Sequence, residues 1–368
     1  MPAAAPAQRS DGFAAFDATA QAEIESGRIP GAVILYGENG KVAYRETLGS
    51  REVAPERVAL TPDTIFDIAS LTKVVATTTA VMQLVEAGRL DLDSPVARYW
   101  PAFAQNGKAA VTVRQLLTHS SGLPADLDLV TRWDGEAEGL ARAAASGLVK
   151  PPGTQFLYSD VNFIVLGELV HRISGEPLDR YAQAHIFAPL GMADTGFRPP
   201  AARLERIAAT DREDGRMRQG EVQDPTAFRM GGIAGHAGLF STADDLARFA
   251  EMLTKGGTLD GARILRPETV AQMTRGMTLP GGARRGLGWD VSSAYSAGMD
   301  RAFGPDSYGH TGYTGCLLWI DPDTSSFLIV LTSRLHPDGR GNVMPLRHAF
   351  ARLIAERRGA VAIASTRN

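Results

Sequence analysis

Apolar residues recur along this chain with two different periods. Near the start, Phe13, Phe16, Ala20 and Ile24 fall on one helical stripe, which predicts a helix over residues 12–26. Two apolar-rich runs, Gly31–Tyr36 and Lys41–Glu46, then flank Gly37-Glu38-Asn39-Gly40, and Asn-Gly between such runs predicts a β-hairpin. From residue 70 onward helices and loops dominate. Val74, Val75, Thr78, Val81, Met82 and Val85 make one stripe that stops at Gly88. Further helices are expected over 113–119, over 161–173 before Gly175, and over 243–253 after the capping pair Ser241-Thr242. Residues 200–235 are polar and without period, and read as loop. Beyond residue 285 the runs 286–291, 307–310, 315–320 and 327–332 read as strands, and a helix over 344–357 closes the chain. Strands at both ends with helices between them predict an α+β fold. In it an antiparallel sheet from both termini is flanked by helices and carries an inserted, mainly helical domain. The expected boundaries are a disordered lead over 1–10, a sheet domain over 11–68 and 240–368, and a helical insert over 69–239, with the active site between the two domains.

Composition narrows the function without naming it. The chain has 368 residues, enough for a large core, and its 44% hydrophobic and 21% charged content is ordinary for a globular protein. A net charge of −3 gives no electrostatic reason to expect nucleic acid or an anionic membrane as partner. One cysteine, Cys316, excludes a disulfide framework and a cysteine-based zinc site, and is expected to be buried on a strand. No apolar run is long enough for a transmembrane helix, and residues 1–10 lack the basic and apolar regions of an export signal. The expected compartment is the cytoplasm, or the periplasm if an export signal has been removed.

Candidate chemistry begins at Ser70-Leu71-Thr72-Lys73, at the start of the 74–85 stripe. Ser and Lys three apart share a helix face, and a neighbouring base turns a serine into a nucleophile. Burial favours the neutral amine, so Lys73 is a candidate base. A helix start also points amides at a developing oxyanion. Two other segments supply what Ser70 and Lys73 need. Tyr158-Ser159-Asp160 offers a phenol and short polar groups just before a helix. Gly309-His310-Thr311-Gly312-Tyr313 leads into a strand whose glycines let a substrate approach the backbone. Arg334, after an apolar strand, is a candidate for a substrate carboxylate. His119 and His236 read as structural hydrogen-bond formers, and Trp289 and Trp319 as core or pocket wall. Loops 123–150 and 200–230 are expected to shape the pocket. The chain has no G-x-S-x-G elbow, H-E-x-x-H or P-loop, and Gly286-Leu287-Gly288 lacks the third glycine of a dinucleotide site. No metal or cofactor need be invoked.

In the order S-x-x-K, Tyr-Ser-Asp, His-Thr-Gly, the chain resembles the serine β-lactamase and penicillin-binding protein superfamily, in its class C branch with family VIII carboxylesterases, D-alanyl-D-alanine carboxypeptidases and muramyl-peptide amidases. Pro62–Ser70, Gln115–Leu123, Pro151-Pro152-Gly153 and Ala234–Leu246 extend the resemblance, which covers residues 12–357. The resemblance implies Ser70 as nucleophile, Lys73 and Tyr158 sharing proton transfer, and the backbone N–H groups of Ser70 and Tyr313 as oxyanion hole. Asp160, His310, Thr311, Gly312 and Arg334 would bind substrate or tune the site. The chain departs from the commoner pattern twice. His310 stands where the lactamases carry Lys, which weakens a fixed cation for a carboxylate. Asp160 stands where class C enzymes carry Asn; it can pair with Lys73 and keep it charged, so Asp160→Asn is expected to change the acid limb of the pH–rate profile. The implied activity is a serine hydrolase that opens an ester or amide through an acyl-enzyme, esterase- or peptidase-like. Alternatives are a cell-wall D-alanyl-D-alanine carboxypeptidase or muramyl-peptide amidase, a weak β-lactamase, and a non-catalytic sensor of penicillins or wall peptides. The implied partner is a small ester or amide, with peptidoglycan fragments and β-lactams among the candidates.

Overall fold

The computed structural model describes residues 11–365 except residue 214, so the expected lead over 1–10 lies outside the described residues. Helix α1 (Ala14–Glu25) precedes the hairpin β1 (Gly31–Glu38) and β2 (Lys41–Glu52), followed by β3 (Val58–Ala59). In the hairpin turn both Asn39 (φ 52°) and Gly40 (φ 69°) are left-handed, as a tight turn between twisted strands demands. Next come helices α2 (Thr79–Glu86), α3 (Val113–Leu117), α4 (Asp160–Ser174) and α5 (Ala243–Thr254). The strands β4 (Met277–Thr278), β5 (Arg284–Arg285), β6 (Asp290–Ser292), β7 (Tyr308–Thr311), β8 (Leu317–Asp321) and β9 (Ser326–Leu331) lead to α6 (Met344–Ser365).

These strands form one nine-stranded sheet in the order β4-β5-β6-β7-β8-β9-β1-β2-β3. Every pairing in it is antiparallel, and β1 from the first part of the chain lies against β9 from the last. The apolar run of β1 has no polar alternation because both faces of the sheet are covered. Val33 and Leu35 enter a core shared with α2, α4 and α5, while Ala32, Ile34 and Tyr36 enter a second core with α1 and α6. Helix starts follow the capping residues: Ser159 Oγ accepts the Asn162 amide at 3.3 Å for α4, and Thr242 Oγ1 accepts the Asp245 amide at 3.2 Å for α5. Gly175 (φ 85°) closes α4.

Three expectations differ from the structure. The run 286–291 is a turn that reaches strand only at Asp290, because Gly286 donates its amide to the carbonyl of Trp289. The segment 200–235 is not plain loop: it contains a 3-10 turn (Ala201–Arg206), a short hairpin (Arg212–Glu213 with Arg216–Met217) and a helical turn (Pro225–Arg229) capped by Asp224. The stripe 74–85 is not one regular helix. A 3-10 turn (Ala69–Leu71) widens into a π segment (Lys73–Thr78) before α2 begins. Trp289 and Trp319 are core residues, one on each face of the sheet.

Candidate active site

Ser70 sits on the 3-10 turn that follows the two-residue strand Phe66–Asp67. Its neighbour Ala69 is held at φ 46°, a left-handed conformation that costs a residue with a Cβ about 1–3 kcal/mol. The surroundings over-determine it. Asp67 Oδ1 accepts the Ala69 amide at 2.8 Å, and Thr72 Oγ1 donates to the Ala69 carbonyl at 2.7 Å. Thr72 Oγ1 also accepts the Leu239 amide at 3.1 Å, and the Ile68 amide returns to the Leu239 carbonyl at 3.0 Å. The second oxygen of Asp67 accepts the Gln223 amide at 2.7 Å, and burial pushes this carboxyl up to about 6. The π segment that starts at Lys73 is the kind of local widening of a helix that recurs at functional sites.

Lys73 is fully buried, and its ammonium meets three acceptors. Nζ lies 2.9 Å from Ser70 Oγ, 3.1 Å from the His236 carbonyl and 2.6 Å from Asp160 Oδ1. Burial works against that charge, but Asp160 and the Tyr158 hydroxyl outweigh it and raise the Lys73 pKa above its ordinary value. Of the two sequence readings, a neutral amine by burial gives way to the pairing with Asp160 that keeps it charged. The Tyr158 hydroxyl bonds to both Lys73 and Ser70; burial raises its pKa, with Lys73 pulling the other way. Behind the phenol the His119 ring stacks at 4.4 Å. Its Nδ1 accepts the Ser159 amide at 3.1 Å, and burial holds the imidazole well below its ordinary pKa, so His119 is a neutral brace.

Under Lys73 lies a second buried pair. His236 Nε2 donates to Asp224 Oδ1 at 2.9 Å, and the same oxygen accepts the Ala227 amide at 2.8 Å. Burial opposes both charges, yet each partner holds the other ionised: His236 is raised above its usual value and Asp224 drops to about 2. Donor atoms of Asp160, Asp224 and His236 lie within 4.8 Å of one another, a spacing a divalent cation would accept. The Lys73 ammonium and the His236 imidazolium already meet the charge of these carboxylates.

A pocket of about 390 Å³ opens in front of Ser70 and Tyr158, and His310, Thr311, Gly312, Tyr313 and Arg334 line it. The structure thus brings together all the residues singled out on the chain, with Lys73 and Asp160 just behind the lining. His310 is buried and donates Nδ1–H to the Thr311 carbonyl at 2.9 Å. Burial, with Arg285 and Lys73 nearby, keeps its pKa well below the ordinary value, so this position presents a neutral ring. Arg334 is committed elsewhere: Nε donates to the Tyr313 carbonyl at 2.7 Å, Nη1 to the Gly341 carbonyl at 3.0 Å, and the guanidinium covers the Tyr313 ring at 4.4 Å. Its role in the structure is to pin the turn that carries the Tyr313 amide. Arg347 Nη2 helps, donating to the carbonyls of Gly312, Gly315 and Cys316 at 3.2, 3.1 and 2.9 Å. Cys316 lies buried beneath this turn, one residue before β8, with Sγ 3.7 Å from the Asp67 carbonyl and 3.6 Å from that of Thr332. Burial raises its thiol to about 11.

Sequence reading missed Arg285, Asp290, Tyr295 and Arg347 as pocket residues and placed the wall in loops 123–150 and 200–230 instead. The wall comes from the β5–β6 turn region, from the end of β7 and from the start of α6, facing Ser70 and Tyr158 across the mouth. Arg285 and Asp290, five apart around the glycine turn and paired at 3.1 Å, were the available signal.

A family model described as Beta-lactamase matches residues 16–353. A protein of Escherichia coli (strain K12) named "Putative D-alanyl-D-alanine carboxypeptidase" is 32% identical over 347 aligned positions, covering 83% of this chain and 79% of the relative. Among solved structures, a penicillin-binding protein homologue from Caulobacter crescentus superposes with a TM-score of 0.76 at 26% identity, over 94% of this chain and 98% of that one. The hydrolase EstCE1, described as having promiscuous acyltransferase activity, gives 0.75 at 22% identity over 94% and 98%, a likeness of fold.

Proposed function

The chain belongs to the β-lactamase family and is a serine hydrolase, and we propose that Ser70 attacks an ester or amide and carries the acyl group. The observation that supports this most directly is the Ser70 hydroxyl held 2.9 Å from the Lys73 ammonium and bonded to the Tyr158 phenol at the floor of the pocket. Tyr158 is the proton acceptor in this reading, because Lys73 has no lone pair while Asp160 keeps it charged. Tyr158 accepts in its phenolate form, which the neighbouring ammonium stabilises, and becomes the neutral phenol as it takes the Ser70 proton. Ser70 Oγ bonds to the carbonyl carbon, and the oxyanion settles against the Ser70 and Tyr313 amides. Tyr158 returns the proton to the departing alcohol or amine. Water then adds to the acyl-enzyme by the same route, and the acid leaves.

The neutral His310, and the commitment of Arg334 to backbone carbonyls, favour a small neutral ester or amide over a substrate held by its carboxylate. A wall-peptide substrate is the second reading, favoured by the 32% identity to the Escherichia coli relative; it would place the enzyme in the periplasm, whereas an ester or recycling substrate fits the cytoplasm. Intact-mass measurement after incubation with p-nitrophenyl butyrate, nitrocefin or a muramyl peptide tests both. We expect ester turnover with a transient adduct on wild type and neither on Ser70→Ala. Turnover that survives Ser70→Ala would overturn the assignment of the nucleophile, and a preference for the muramyl peptide would select the second reading.

A further inference from the structure

We propose that His236 and Asp224 are positioning residues for Lys73: together they hold the His236 carbonyl against the Lys73 ammonium and complete a chain of four alternating charges that keeps this ammonium over Ser70. The inference rests on the reading of Lys73 and Ser70 given above.

Residues 235–239 run as a strap alongside the nucleophile helix, and several bonds along the strap go to that helix or its approach. Thr77 Oγ1 donates to the Gly235 carbonyl at 2.6 Å, Lys73 Nζ to the His236 carbonyl at 3.1 Å, and Leu239 bonds to Thr72 and Ile68. On its other side the strap presses on α4. A Cβ at position 235 would come within 1.9 Å of the Phe163 carbonyl, so only glycine lets the backbone approach. The His236 side chain is therefore the anchor that fixes where its own carbonyl points, and Asp224 fixes the side chain. Asp224 is itself held as the N-cap of the turn Pro225–Arg229.

Charge gives the second half of the argument. Lys73, Asp160, His236 and Asp224 alternate in sign and sum to zero; the two cations are fully buried and the two carboxylates half-buried, so an unbalanced charge here is costly. The other groups facing His236 are Asp126, whose Oδ1 accepts a hydrogen bond from Thr226 Oγ1 at 2.9 Å, and Tyr158 beyond Lys73. Removing His236 alone leaves two carboxylates against one ammonium, and Lys73 moves toward them and away from Ser70. Removing the Asp224 charge alone leaves two cations sharing Asp160.

The test uses steady-state hydrolysis of p-nitrophenyl butyrate by the full chain. His236→Asn and Asp224→Asn are each expected to lower kcat roughly 10- to 100-fold, with KM within about threefold of wild type, since the acyl pocket is untouched while the reacting groups are displaced. The double variant His236→Asn/Asp224→Asn restores the charge sum and leaves two amides able to bond to each other. It is expected to recover at least about tenfold over the worse single variant. Should a single variant fail to fold, as judged by circular dichroism, the double variant carries the test: it must fold and turn over. A folded His236→Asn that keeps kcat within about twofold of wild type overturns the proposal. So does a double variant no better than the worse single one. Loss of these effects while Ser70→Ala remains dead sinks this inference alone. Activity in Ser70→Ala sinks the underlying reading instead.

Discussion

Behind Ser70 the charged side chains are buried and paired with one another; in front of it, across the pocket, the arginines grip backbone carbonyls and the aromatic rings are exposed. Lys73, Asp160, His236 and Asp224 form the rear, and a displacement of any one unbalances the rest. At the front, Tyr295 and Tyr313 are 46% and 63% exposed, so substrate can reach their faces at little cost in protein packing. The difference teaches where each property of the enzyme resides. In the proposed reaction the rear governs proton transfer, because Ser70, Lys73 and Tyr158 meet there. The front fixes the substrate, because its side chains can change without disturbing the rear.

Four substitutions can break this contrast. The largest effect is expected from Tyr158→Phe, which removes the proton acceptor and should lower kcat about 10²–10⁴-fold while p-nitrophenyl ester binding persists; stopped-flow acylation measures it, and a loss below about tenfold would return the base role to Lys73. Next comes Asp160→Asn. With its principal counter-charge gone, Lys73 loses its proton at lower pH, so the alkaline limb of the kcat profile should move down. That relocates the effect from the acid limb expected on the sequence alone, and superimposable profiles would remove Asp160 from the tuning of Lys73.

A third, smaller effect concerns stability rather than rate. Burial raises Asp67 from 3.8 to about 6 in the folded state, so the folded protein binds a proton more tightly than the unfolded chain between those values. Stability relative to Asp67→Asn should therefore fall as pH rises from about 4 to about 6, by about 3 kcal/mol, and stay level above. Urea titrations of both proteins across that range read the slope, and parallel curves would mean that burial leaves the Asp67 carboxyl at its ordinary value. The smallest effect belongs to the front. His310→Lys installs a cation where the present ring is neutral; KM for nitrocefin, which carries a carboxylate, should drop several-fold, with kcat for a neutral ester changed less than about threefold. A large loss of ester kcat would show that front and rear are not separable.

The parts of the site legible in the sequence are those the chain brings together locally. Ser70 and Lys73 are three residues apart, Tyr158 and Asp160 two, and Asn39-Gly40 declares its own turn. The charge on Lys73 was legible only through the resemblance that set Asp160 beside it, because the two are 87 positions apart and burial alone points the other way. His236 looked like an ordinary core histidine for the same reason: its importance rests on its carbonyl, which a side-chain pattern does not report. The π segment also has no signature in the apolar stripe, since Val74, Val75 and Thr78 are buried in either winding. Arg347 was hidden in the closing helix, whose periodicity explained its neighbours but not a guanidinium turned toward the 312–316 turn.

Cys316 gives this architecture an internal clock. As the chain's one thiol, sealed at the seam between the Asp67 strand and the pocket wall, it can react with an uncharged alkylating reagent only while that seam is open. The labelling rate therefore reads the breathing of the cleft directly, and comparing the free enzyme with one acylated at Ser70 tells how far a bound acyl group quiets that motion.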